Sequence, residues 1–232
     1  MALREITLFS VSILPVVLIS MFIYKRDKNK ESFRLLFKLF LGGICSCFLC
    51  LIATGILNII IPFFNSDYWT LNSLELVIYV FVGIALVEEL SKWIIAYKIS
   101  YNNIEFDEIY DMILYCILVS LGFACFENLF YVYASGIKTG LLRALLSVPG
   151  HACNGFFMGY YLGLTKVYSL RNMKELKNKY LTFSILIPVL VHGLYDYCLF
   201  NGSILFMMVF YLFVATTFIY VIVKIIKISR SS

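Results

Sequence analysis

Charge is scarce in this chain, and histidine scarcer. Only 14% of the 232 residues are Asp, Glu, Lys or Arg, and the two histidines are His151 and His192. A soluble domain carries about a quarter charged residues and is about half apolar. Here 62% of residues are hydrophobic and the mean hydropathy is +0.90, which excludes a water-soluble globule. Strict apolar/polar alternation is also missing, which excludes a transmembrane β-barrel. Continuous apolar runs leave an all-α, polytopic membrane bundle. There is no low-complexity stretch, soluble domain or internal repeat, so a single integral-membrane domain over residues 1–232 is expected. A disulfide framework is lacking as well. All seven cysteines lie in apolar runs. Cys45 and Cys47 would point apart on a helix, and buried cysteine behaves as a small hydrophobe.

Seven spans are expected, at about 6–24, 36–61, 72–97, 109–133, 142–166, 181–200 and 203–226. The first is too long for the apolar core of a signal peptide and has no small-residue cleavage pattern, so it is read as a retained helix. Basic residues set the orientation. One set of alternate connections holds Lys25, Arg26, Lys28, Lys30, Arg34, Lys38, Lys98, Lys166, Arg171, Lys174, Lys177 and Lys179, and the tail adds Lys224, Lys227 and Arg230. The other side holds Arg4, Lys138 and Arg143. The expected topology has the N-terminus outside and the C-terminus cytoplasmic in a bacterial cell membrane. The net charge of +5 is explained by this bias and by anionic lipid, with no call for a nucleic-acid partner.

Against that apolar background, five ionisable residues and both histidines lie well inside the spans, away from their ends: Glu88, Glu89, Lys92, Glu127, Asp196, His151 and His192. Unpaired at mid-bilayer, the five charges would cost on the order of 12–18 kcal/mol, so mutual pairing is required. Glu88 and Lys92 share a helix face at i, i+4. Glu89 points about 100° away, so its partner must come from another helix. Two carboxylates with one lysine leave a proton-accepting group in a poorly solvated site, as a general base requires. Glu127 and Tyr131 repeat the i, i+4 spacing on the fourth span. His151 is followed by Gly155, Gly159 and Gly163 on one face, a small-residue ladder that lets helices approach closely. His192 and Asp196 are also i, i+4, so the carboxylate can hold the ring. At ~1.5 Å per residue, Glu88, His151 and His192 fall in the middle to outer half of the membrane. A shared water-accessible cavity is expected.

The ordered set Glu88-Glu89-x-x-Lys92, Phe126-Glu127-x-x-x-Tyr131, His151 with Gly159 eight residues on, and His192-x-x-x-Asp196 resembles the PrsW family of intramembrane proteases. It is also distantly similar to the CAAX-type prenyl-protein endopeptidases. That wider group usually has Asn where this chain has Asp196. The resemblance implies a peptidase that makes the first cut in a single-span membrane substrate, an anti-sigma factor, releasing a sigma factor that switches on stress genes. On the residues themselves, Glu88 or Glu89 is the base. His151 and His192 either bind zinc, with Glu127 as a third ligand, or donate to the developing oxyanion. Lys92, Tyr131 and Asp196 support them. The sequence has neither a His-Glu-x-x-His motif nor a serine in a glycine frame. The competing expectation is a proton- or metal-coupled transporter, which would require inverted repeats and broken helices.

Overall fold

The long apolar runs become long helices because a backbone away from water must satisfy its own hydrogen bonds. A computed structural model describes residues 2–231, and among these every regular element is helical. The helices are α1 (Ala2–Arg26), α2 (Phe33–Ile60), α3 (73–100), α4 (Ile109–Ser135), α5 (Ile137–Leu145), α6 (Ser147–Leu170), α7 (Lys174–Asn201) and α8 (Ile204–Ser231). Among the described residues, five segments are long and apolar enough to cross a membrane: Arg4–Arg26, Phe33–Ile60, Ile109–Ser135, Lys174–Asn201 and Ile204–Arg230. The two other expected spans are helical as well. The 72–97 span is α3, which holds Glu88, Glu89 and Lys92. The 142–166 span is interrupted: the backbone turns at Leu146 (φ −120°, ψ −61°), dividing the short α5 from α6. Pro149 falls in the first turn of α6, where its missing N–H leaves no bond unmade.

α4 is the axis of the bundle, with nearly its whole circumference buried from Tyr110 to Cys125. α1, α2, α3 and α6 pack around it, α7 lies against α6 and α3, and α8 flanks α6 and α7. Glycines set the tightest approaches. A Cβ on Gly122 would lie 2.1 Å from the Phe40 carbonyl oxygen of α2, and one on Gly159 would lie 2.4 Å from the Met112 carbonyl oxygen of α4. The ladder after His151 thus seats α6 on α4. Outward-facing side chains are apolar, for example Ile59 (82% exposed) and Leu212 (68%), as a lipid-facing surface requires.

Two local features aim α3 at its neighbours. Residues Tyr79–Leu86 wind as a π-helix, a rare form that occurs mostly near functional sites. From this segment the Phe81 ring packs over Gly193 of α7, 2.4 Å from where a Cβ would stand. Regular α-helix resumes at Val87, which preserves the Glu88–Lys92 spacing. The connections that hold most of the basic residues meet at one end of the bundle. There Lys28 Nζ donates to the Arg230 carbonyl, Asn29 Nδ2 to Glu108 and Ser32 Oγ to Glu105.

Glu31 lies in the α1–α2 connection with one carboxylate oxygen unpartnered. Burial pushes its carboxyl up from 4.5 to about 7, against the lowering effect of the Tyr115 hydroxyl. The folded chain therefore holds this proton between about 4.5 and 7 while the unfolded chain releases it, so stability falls as pH rises through that window. Glu31→Gln is expected to raise the melting temperature relative to wild type at pH 8 and to leave it unchanged at pH 4. Thermal unfolding in detergent at the two pH values measures this, and equal curves at pH 8 would count against it. Close packing gives a second expectation. Gly122→Ala must push the α2 and α4 backbones apart and should cost ~1–3 kcal/mol. Gly55→Ala, with nothing within 4 Å, should be neutral or slightly stabilising. Equal melting temperatures for the two variants would contradict that packing.

Candidate functional site

Lys92 is the hub of the polar network. Its ammonium has no exposure to solvent. It lies 3.2 Å from Glu88 Oε2, 2.8 Å from Glu89 Oε1 and 3.1 Å from His151 Nδ1, with its fourth side over the Phe123 ring at 4.1 Å. Each of its three protons has an acceptor. Because Lys92 donates to His151 Nδ1, that ring is the neutral Nε2–H tautomer, and Nε2 donates to Glu127 Oε2 at 2.9 Å. The same Glu127 oxygen accepts from Arg143 Nη2 at 2.7 Å. On the other side Glu89 Oε1 accepts from His192 Nδ1 at 2.8 Å and from Asn154 Nδ2 at 3.3 Å. His192 Nε2 faces Asp196 Oδ2 at 3.3 Å. Both nitrogens of His192 thus face carboxylate oxygens, which only accept, so the ring donates twice as an imidazolium.

The chain from Arg143 to Asp196 joins α3, α4, α5, α6 and α7. The two imidazole centroids lie 5.7 Å apart. A cavity of about 390 Å³ opens onto Glu88, Glu127, Tyr131, Arg143, His151, Asn154, His192 and Asp196, with apolar walls that include Phe213 and Phe218 of α8. Glu89 does not reach it: its side chain is fully buried behind Lys92, and Oε2 has no partner. Of the adjacent carboxylates only Glu88 faces the cavity, with 14% of its side chain exposed and a single hydrogen bond, from Lys92. Four carboxylates (Glu88, Glu89, Glu127 and Asp196) meet three cations (Lys92, Arg143 and the His192 imidazolium), which leaves one negative charge uncompensated. Tyr131 lines the cavity, but its ring carries the Arg143 guanidinium at 4.3 Å.

The family model described as "PrsW family intramembrane metalloprotease" matches residues 31–223. The chain belongs to the PrsW family. It is 36% identical to the Protease PrsW of Oceanobacillus iheyensis over 194 residues, covering 84% of this chain and 83% of that one. It is 30% identical to the Protease PrsW of Clostridioides difficile over 200 residues (84% and 80%), and 40% identical to that of Bacillus subtilis over 119 residues (51% and 53%). No solved structure matches. Family and fold together make this chain a multi-pass bacterial membrane protein and an intramembrane protease.

The PrsW description implies a metal. One ligand atom from each of Glu88, Glu89 and His151 lies within 4.8 Å of the others. This trio differs from His151, His192 and Glu127, which the sequence suggests. In that second set the His151 Nε2–H is given to Glu127 and His192 donates from both nitrogens, so no ring lone pair is free. In the first set Lys92 Nζ touches all three members. As arranged, neither set fits a divalent metal.

Arg143, Asn154 and Phe123 belong to the site although no sequence motif singles them out. The basic-residue bias places Arg143 only among the few cations of the outer side, with no link to Glu127. The break at Leu146 turns α5 so that Arg143 reaches Glu127, with Nε donating to Asn128 Oδ1 at 3.0 Å. Removing this clamp frees the carboxylate that holds His151. Arg143→Gln is expected to slow cleavage of a co-reconstituted membrane-protein substrate ~10–100-fold, the size of effect that follows loss of an outer partner in a polar site, with Arg143→Lys partly restoring the rate. Unchanged rates in Arg143→Gln would remove it from the site.

Proposed function

We propose that this PrsW-family protein makes the first cut in a single-span membrane substrate, an anti-sigma factor whose loss releases a stress-response sigma factor. On this reading all seven segments of the expected topology cross the membrane, the N-terminus is outside, and the substrate reaches the cavity from the outer half. The catalytic group comprises Glu88, Glu89, Glu127, His151 and His192, with Lys92, Tyr131 and Asp196 in support. The single observation that carries the chemistry is the split between the paired acids: Glu88 faces the cavity, whereas Glu89 is sealed among Lys92, His192 and Asn154.

Glu88 acts as the base. It takes a proton from a cavity water while the water oxygen bonds to the scissile carbonyl carbon, and the carbonyl electrons move onto its oxygen. The His192 imidazolium, whose Nε2–H is held loosely at 3.3 Å by Asp196, donates to that oxyanion. The intermediate collapses, the C–N bond breaks, and Glu88 returns its proton to the departing amine. Glu89 holds His192 charged and oriented, while Glu127 fixes the tautomer of His151. No step requires a metal.

The test is cleavage of a single-span substrate by the purified full chain in vesicles. Glu88→Gln keeps the shape and the Lys92 hydrogen bond but cannot take a proton, so the rate should fall ~10²–10⁴-fold with thermal unfolding unchanged. Cleavage should persist after exhaustive chelation. Wild-type rates in Glu88→Gln would rule out Glu88 as the base, and absence of any cleavage by wild type would remove the protease reading for the chosen substrate.

A further inference from the structure

The Glu88/Glu89/His151 trio has the composition of a metal site: two carboxylates and an imidazole, with ligand atoms within 4.8 Å of one another. A cation already stands among them, and it is covalently part of the chain. Lys92 Nζ lies 2.8–3.2 Å from one atom of each member. Zinc would need to sit about 2.0–2.2 Å from the same oxygens and ring nitrogen. Two cations cannot share that space. Nor is the lysine free to leave, since its ammonium is enclosed, with Phe123 closing the fourth side at 4.1 Å.

We propose that Lys92 is a built-in cation that takes the place of a divalent metal between Glu88, Glu89 and His151, and that the wild-type centre excludes zinc. The proposal rests on the metal-free reading above and extends it. Charge explains what the substitution achieves. A divalent ion would neutralise both carboxylates and turn Glu88 into a ligand. The single charge of Lys92 neutralises one equivalent only, so the pair stays negative and Glu88 keeps the capacity to accept a proton. A tethered ammonium also needs no metal supply and is not removed by chelators.

The experiment measures bound zinc directly. Purified full-length protein in detergent is stripped with chelator, equilibrated with zinc chloride, desalted and analysed for metal. Wild type is expected to retain no stoichiometric zinc. Lys92→Met removes the ammonium, keeps the bulk, and should retain about one ion per chain, at least ~10-fold more than wild type. That gain should vanish in Lys92→Met/His151→Ala. Lys92→Arg keeps a positive charge in place and should bind no more than wild type.

Stoichiometric zinc in wild type, lost on His151→Ala, would overturn the proposal whether or not any Lys92 variant folds. A folded Lys92→Met that gains no zinc would overturn it too, because the trio would then not be a metal position. If Lys92→Met does not fold, Lys92→Gln is read in its place, beside the wild-type measurement. Cleavage assays on the same preparations separate the two readings. Zinc-dependent cleavage by wild type sinks this inference and leaves the protease standing, whereas zinc exclusion without cleavage sinks only the protease.

Discussion

One ammonium group with no access to water organises the polar interior. Desolvating a lysine is expensive, and here the cost is met by three acceptors and an aromatic face around Lys92. Each contact fixes something further. The bond to His151 sets its tautomer, which directs Nε2–H to Glu127. The bond to Glu89 presents that carboxylate to His192, which then turns its other nitrogen to Asp196. Removing the charge at Lys92 would leave two acids and a histidine without their common partner, in a medium that penalises each of them.

The network exists because the helices come close enough for short bonds. α2 and α6 approach the α4 backbone at Gly43, Gly122, Gly155 and Gly159, where even a methyl group would collide with backbone atoms. Phe81 seats on Gly193 in the same way and places α3 beside α7 next to His192. Packing by small residues and pairing of buried charges are therefore one design: the first supplies distances near 3 Å, and the second would be prohibitive without them.

The cavity is asymmetric in a manner suited to peptide hydrolysis. Its polar floor carries Glu88, His151 and His192, while apolar side chains of α8 line a wall. A membrane-embedded substrate segment can thus meet hydrophobic surface before its peptide bond meets water. The short α5 contributes Arg143 from the rim, where it is paired with Glu127 and stacked on Tyr131. This cation offsets negative charge at Glu127 without touching Glu88.

What runs along one helix is legible in the order of residues. Long apolar runs dictate helices, because the backbone has no other way to satisfy its bonds in lipid. The spacing of Glu88 and Lys92 and of His192 and Asp196 dictates pairs one turn apart, and both pairs are made. Contacts between helices arise in the packed bundle alone. Nothing in the chain order says that Glu89 meets His192, that Lys92 reaches His151, or that Glu127 is shared by His151 and Arg143. A turn at a single residue, Leu146, brings Arg143 from the helix face it would otherwise occupy to Glu127. Burial, which separates the cavity-facing Glu88 from the enclosed Glu89, is likewise a property of what packs on a residue. Local periodicity fixes where a side chain points on its own helix, and only the packed bundle fixes what it points at.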